Sequence, residues 1–195
     1  MSPTDAIHRR GQALEDAYFQ RVDQELLQKL RDADARSEKL QELAQATGLR
    51  DDQVANHLLD AGINVTNIAA LTLTPLVFVA WASGSVTEQE RQTVISEALR
   101  RGVNSNPLAF QLLQQWLQTR PSPDLWTAWK EYAGSLHQSM PTGTDDKFAQ
   151  GLLEQAIAVA EASGGVLGVG KTSPAEQRVI DELRDVLGQP ASGDA

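Results

Sequence analysis

The sequence predicts an all-α protein, a helical bundle of about nine or ten helices. Apolar residues recur at three- and four-residue spacing along much of the chain, which is the periodicity of a buried helix face. Several segments begin with a residue that can cap a helix, followed by a proline or glutamate, and a glycine follows their last apolar residue. These are the start and stop signals of helices. Val77–Val79 also has the composition of a strand, but the chain offers no convincing second strand to pair with it.

The first predicted helix runs from about Asp5 to Asp34 and carries apolar residues at every fourth position. These residues are Leu14, Tyr18, Val22, Leu26 and Leu30. They lie along one side of a helix, in a line that turns slowly around the helix axis, and charges of both signs lie between them. Two alternatives follow: the helix packs on its own domain, or it is an arm through which the chain forms a homo-oligomer.

Two short helices are predicted next. Ser37 can cap a helix that ends at Gly48, and Asp51 or Asp52 can open another that ends at Gly62. Glycine suits these ends because it adopts the left-handed conformation without strain.

Seven further helices are predicted between Thr66 and Leu187. They begin at Thr66, Thr74-Pro75, Thr87, Asn106-Pro107 and Ser122-Pro123, then after a loop over Met140–Asp146, and last at Ser173-Pro174. Proline fits the first helical turn, where its missing N–H leaves no bond unmade. The small polar residues from Gly188 onward are predicted to form a flexible tail.

No membrane span and no secretory signal are predicted. The most apolar stretch, Ile68–Ala82, is 15 residues long, which is shorter than the roughly 20 needed to cross a bilayer. It is therefore predicted to be a buried core helix. Met1–Gly11 lacks the apolar region of a signal peptide, which favours a cytoplasmic location.

Composition excludes several classes of chemistry. The 195 residues include no cysteine, so disulfides, cysteine–zinc sites, iron–sulfur clusters and thiol nucleophiles are ruled out. The net charge of −9 argues against nucleic-acid binding, which needs a basic surface. The three histidines, His8, His57 and His137, are scattered and have no second ligand at helical spacing. We therefore predict no cofactor and no catalytic residue.

An internal repeat divides the second part of the chain. Val79–Val86 reads VAWASGSV and Val159–Val166 reads VAEASGGV, with six of eight positions identical. A capping box follows each copy, Thr87 with Glu90 and Ser173 with Glu176. An apolar residue stands seven positions after each cap, Val94 and Ile180. Each half therefore consists of a helix, a glycine turn and a capped helix.

This pattern resembles the TerB-like (tellurite-resistance) family, over residues 71–187. The resemblance is carried by Ala82–Glu90 and, more loosely, by Ala162–Gly164 with Ser173–Glu176. It implies a helical bundle of two pseudo-symmetric halves, a role in stress responses, and action by binding partners or metal ions. The expected organisation is an N-terminal segment 1–65, a TerB-like core 66–187 and a tail 188–195.

The family's proposed metal site uses acidic residues, but the turn aspartate is Ser83 in the first half of this chain and Ser163 in the second. Oxygen ligands at the first turn would come from Ser83, Ser85, Thr87, Glu88 and Glu90. Only the two glutamates carry charge, whereas calcium wants several carboxylates. Helix capping by Thr87 and Glu90 explains the same residues without a metal.

Gly165–Thr172 satisfies the phosphate-binding pattern of Gly, four residues and Gly-Lys-Thr. That motif needs a buried strand before it, and the preceding Leu152–Ala162 has helical spacing instead. A glycine-rich connection is therefore predicted, with a nucleotide site as the alternative.

Aromatic residues cluster at Trp116, Trp126, Trp129 and Tyr132. They are predicted to lock two helices across a corner, and the alternative is that Trp126, Trp129 and Tyr132 form a partner-binding patch. Taken together, the sequence predicts a non-enzymatic, cytoplasmic interaction or stress-associated module with a protein partner. The alternatives are a divalent-metal-responsive form and an enzyme with a nucleotide site at Gly165–Thr172.

Overall fold

The computed structural model describes residues 3–139, 144–162 and 172–188, and the side chains of residues 3–20, 23, 138–139 and 144–146 lie outside that description. The α-helices are α1 Pro3–Thr47, α2 Asp52–Asp60, α3 Thr74–Ala80, α4 Glu88–Arg100, α5 Pro107–Gln118, α6 Pro123–Ser139, α7 Thr144–Ala162 and α8 Pro174–Val186. Short 3₁₀ helices span Ile68–Leu73 and Val103–Ser105. These ranges contain no strand, which confirms the all-α prediction and shows that the strand alternative at Val77–Val79 is wrong.

The chain divides into two compact units, Met1–Glu42 and Leu43–Ala195. The first unit consists of α1 up to Glu42. The second begins 23 residues before the domain boundary predicted at residue 65, because α2 packs against α6 within it.

Helix α1 continues where the sequence predicts a break between Asp34 and Ser37. The intervening residues Ala35 and Arg36 are good helix formers, and neither glycine nor proline interrupts the turn. The helix ends at Gly48 instead, which adopts a φ of +72°. Ser37 is therefore an interior helical residue and not a cap.

Helix α3 forms the centre of the second unit. All seven of its residues are buried, and it packs against α4, α6, α7 and α8. The apolar stretch Ile68–Ala82 is thus core, as predicted, although a 3₁₀ helix forms its first part. Among the described helices, none combines the length and the apolar character needed to cross a membrane.

Most predicted caps are confirmed. Asp51 accepts the N–H of Gln53 at 2.8 Å, Asn106 accepts that of Ala109 at 3.0 Å, and Ser122 accepts that of Asp124 at 3.2 Å. Thr74 is different, because its backbone is already helical and Leu73 holds the cap position. Helix α7 begins at Thr144, inside the loop predicted over 140–146.

The two halves of the repeat interlock. The first half consists of α3 and α4, and the second half consists of α7 and α8. The first helices of the two halves, α3 and α7, pack on each other. The capped helix α4 also packs on α7, and the capped helix α8 packs on α3, so each capped helix contacts the first helix of the other half. Helices α4 and α8 both have 13 residues and a capping box, and Val94 and Ile180 are both buried. Each is followed by a left-handed glycine, Gly102 at φ +71° and Gly188 at φ +62°. These glycines are 86 residues apart, the same offset as the caps, which extends the repeat by a whole helix.

Candidate functional site

The turn before α4 brings together part of the predicted metal-ligand set. One Glu90 carboxylate oxygen, Oε2, accepts hydrogen bonds from the N–H and hydroxyl of Thr87, at 2.7 and 2.8 Å. The Ser83 hydroxyl donates to the carbonyl of Ser85 at 3.2 Å. Glu88 lies on the exposed side and pairs with Arg91 at 3.7 Å. Thr87 and Glu90 therefore act as a helix cap, from which Glu88 is separate.

Two carboxylates on α4 are buried more deeply than the sequence indicates. Glu90 and Glu97 are 0% and 3% exposed, and each has one oxygen without a hydrogen-bond partner among the described residues, Oε1 of Glu90 and Oε2 of Glu97. The other oxygen of Glu97 pairs with Arg100. The second half of the repeat places the buried Leu183 at the position of Glu97. Over the described ranges, no three His, Asp or Glu side chains group in a way that would hold a metal ion.

The aromatic cluster joins three helices. Trp126 stacks between Phe78 of α3 and Trp129, with ring centroids 5.2 Å apart in both pairs. Its indole N–H donates to Glu182 of α8 at 2.8 Å, and this bond lowers the pKa of Glu182. Lys130 lies 3.3 Å from the same carboxylate and 5.8 Å from the Trp126 ring. These contacts correspond to the helix-locking prediction for Trp126 and Trp129.

Tyr132 belongs to a different environment, an apolar cavity of about 170 Å³. The cavity is lined by Thr72, Trp129, Tyr132, Ala133, Leu136, Phe148 and Leu187. Burial raises the pKa of Tyr132 above its usual value. Sequence spacing gave no signal for this cavity, because its walls come from α6, α7 and the ends of two other elements.

A second cavity, of about 250 Å³, lies between α2 and α6 and includes His57, Asp60 and Asp124 in its lining. The ring nitrogen Nδ1 of His57 lies 2.5 Å from the Glu131 carboxylate. This hydrogen bond and the charge of Glu131 raise the pKa of His57. The pair is largely exposed and joins α2 to α6.

An apolar surface lies on α1. Val22, Leu26, Leu27 and Leu30, which we call the α1 stripe, are 40%, 55%, 52% and 53% exposed. Three of them belong to the apolar series predicted from the sequence, and Leu27 extends it. Such a run of large exposed apolar side chains is typical of a surface that another molecule covers.

The glycine-rich string Gly165–Thr172 lies outside the described residues except for Thr172, as does most of the second copy of the repeated turn. The glycine-rich connection predicted there and its alternative, a nucleotide site, therefore stay predictions. In comparisons with known proteins, no family model, no curated protein and no solved structure matches the chain.

Proposed function

We propose that this protein is a non-enzymatic, cytoplasmic interaction module that associates through α1. The observation that carries the proposal is the α1 stripe, four large apolar side chains that are each 40% to 55% exposed. Complete burial of one such side chain is worth about 1.5–3 kcal/mol. Because about half of each side chain is exposed, covering all four would contribute about 3–6 kcal/mol per helix. Helices in proteins gain most of their stability from such packing.

A second copy of the chain is the occupant that best fits this surface. The segment Met1–Glu42 carries seven basic and nine acidic residues, so two copies meet without strong repulsion and no highly charged partner is required. Residues 3–42 of this segment form a helix about 60 Å long. Stable complexes bury about 800 Å² per partner, so pairing would extend along the helix beyond the stripe.

Light scattering after size-exclusion chromatography tests the pairing. At about 10 and about 100 μM, the wild type should approach twice the mass of one chain as concentration rises. The double variant Leu26→Glu/Leu30→Glu should stay at the mass of one chain, because two charges then lie on the stripe while helix propensity is kept.

The matched control is Leu99→Glu/Leu108→Glu, which alters two leucines that are also 52% and 54% exposed but lie on α4 and α5. This control should associate as the wild type does. A wild type that stays monomeric at both concentrations would refute pairing with a second copy. Dimers of equal strength in the α1 variant would show that another surface pairs.

The TerB-like relationship is part of the proposal. Support comes from the two capping boxes and the two left-handed glycines, which recur at the same offset of 86 residues. A stress-associated role follows from the resemblance. Deleting the gene in its host and challenging the cells with tellurite tests that role. Growth equal to that of the parent strain would count against it.

A divalent-metal-responsive form is the second candidate, favoured by the buried Glu90 and Glu97 oxygens that lack a partner among the described residues. A thermal-shift panel separates the alternatives. Stabilisation by calcium or magnesium alone, lost in Glu97→Gln, would favour the metal-responsive form. Stabilisation by ATP only with magnesium would favour a nucleotide site at Gly165–Thr172. No response to either would favour the interaction module.

A further inference from the structure

We propose that the apolar cavity beside Tyr132 is a binding site for a small, uncharged aromatic molecule that carries one hydrogen-bonding group. The inference is independent of the α1 pairing, because every lining residue belongs to the second unit. The size of the cavity, the chemistry of its wall and the hydroxyl of Tyr132 support it.

The size of the cavity fits one aromatic ring. Its volume is about 170 Å³, and an apolar cavity of about 150 Å³ is known to take up benzene. The wall includes the rings of Trp129, Tyr132 and Phe148. Trp129 is stacked on Trp126 at an interplanar angle of 6°, which fixes its ring in place. Rings held in this way offer faces and edges to a bound ring at little cost in conformational entropy.

The chemistry of the wall selects a neutral ligand. Among the lining residues that the structure describes, none is an aspartate, glutamate, lysine, arginine or histidine. An ionised ligand would lose its hydration in this cavity without meeting an opposite charge among these residues, which makes its binding strongly unfavourable. The acidic protein, with a net charge of −9, also disfavours anions.

The polar groups select a ligand with one hydrogen-bonding group. The described wall includes Tyr132 and Trp129, whose side chains carry a hydroxyl and an indole N–H. A tyrosine hydroxyl is protonated at neutral pH and can both donate and accept a hydrogen bond. A phenol-like hydroxyl can pair with it, whereas a pure hydrocarbon cannot.

Ligand-observed NMR titrations of the full chain with phenol, toluene and benzoate test the site. We expect phenol to bind saturably with a Kd of about 0.1–1 mM, the range open to a ligand of this size. Toluene should bind about fivefold more weakly, since it lacks the hydrogen bond. Benzoate should not bind. Equal binding of benzoate and phenol would overturn the proposal, as would the absence of saturable phenol binding.

Two variants locate the site. Leu136→Trp fills the cavity and should weaken phenol binding at least tenfold, whereas Leu108→Trp, on the exposed side of α5, should leave it unchanged. Tyr132→Phe removes only the hydroxyl, so phenol should weaken about fivefold while toluene is unaffected. Circular dichroism verifies that each variant is folded. If phenol binds Leu136→Trp and Tyr132→Phe as it binds the wild type, the cavity is not its site.

Discussion

Replacing Glu97 by leucine should stabilise the protein. Glu97 is 3% exposed, and one of its oxygens has no hydrogen-bond partner among the described residues. A buried polar atom without a partner costs about 1–3 kcal/mol. The equivalent position in the other half of the repeat holds Leu183, which is fully buried.

The magnitude follows from four contributions. Removing the unpartnered oxygen recovers about 1–3 kcal/mol, and burying a leucine side chain adds about 1.5–3 kcal/mol. Two costs oppose these gains. The variant loses the ion pair with Arg100, which is worth about 1 kcal/mol because the Arg100 side chain is 73% exposed. Repacking around the new leucine costs up to about 1.5 kcal/mol. These ranges give a net gain of between about 0 and 5 kcal/mol, centred near about 2.5 kcal/mol, and each kcal/mol corresponds to about 2–4 °C in Tm.

Urea unfolding followed by far-UV circular dichroism measures the change, with thermal unfolding as a second readout. Glu88→Leu is the matched control, since Glu88 lies on the same helix with its side chain 68% exposed. It should lose up to about 1 kcal/mol through the helix dipole. A Glu97→Leu variant that is less stable than the wild type by about 1 kcal/mol or more would contradict the prediction, since it would mean that the carboxylate has a partner or ligand.

Three further predictions concern the repeat and the α2–α6 contact. Thr87→Ala and Ser173→Ala should each cost about 1 kcal/mol in urea unfolding, because each removes the oxygen that accepts a helix N–H in an equivalent capping box; unequal losses of several kcal/mol would contradict the equivalence. Gly102→Ala should cost about 1–2 kcal/mol at a φ of +71°, and an unchanged midpoint would refute the left-handed assignment. The raised pKa of His57 means that its pairing with Glu131 stabilises the fold fully below the unfolded-state pKa of about 6.5, and that this contribution is lost as pH rises through the folded-state pKa. The Tm difference between wild type and His57→Gln should therefore be larger at acidic than at alkaline pH, and a pH-independent difference would contradict it.

Local signals predicted the helix starts well, and tertiary features poorly. Asp51, Asn106, Thr87 and Ser173 were recognisable because a cap and the helix it begins are adjacent in sequence. The break predicted between Asp34 and Ser37 was wrong. A serine caps a new helix only where a residue such as glycine or proline has ended the preceding helix, and none stands between Asp34 and Ser37.

The candidate sites depend on residues that are distant in sequence. Glu131 lies 74 residues after His57, and Trp126 lies 56 residues before Glu182. No spacing rule connects such pairs, because the packing of whole helices brings them together. The α1 stripe is the exception, since periodicity alone places its residues on one side of a helix.

The crossed packing of the repeat has a consequence for how the second unit unfolds. Because α4 packs on α7 and α8 packs on α3, each half would expose buried surface to water if the other half unfolded. The halves should therefore melt in a single transition, and the slowest amide protons of α3 and α7 should exchange with the same opening free energy. A separately produced half would have an incomplete core that only the complementary fragment, or the same region of another molecule, can fill.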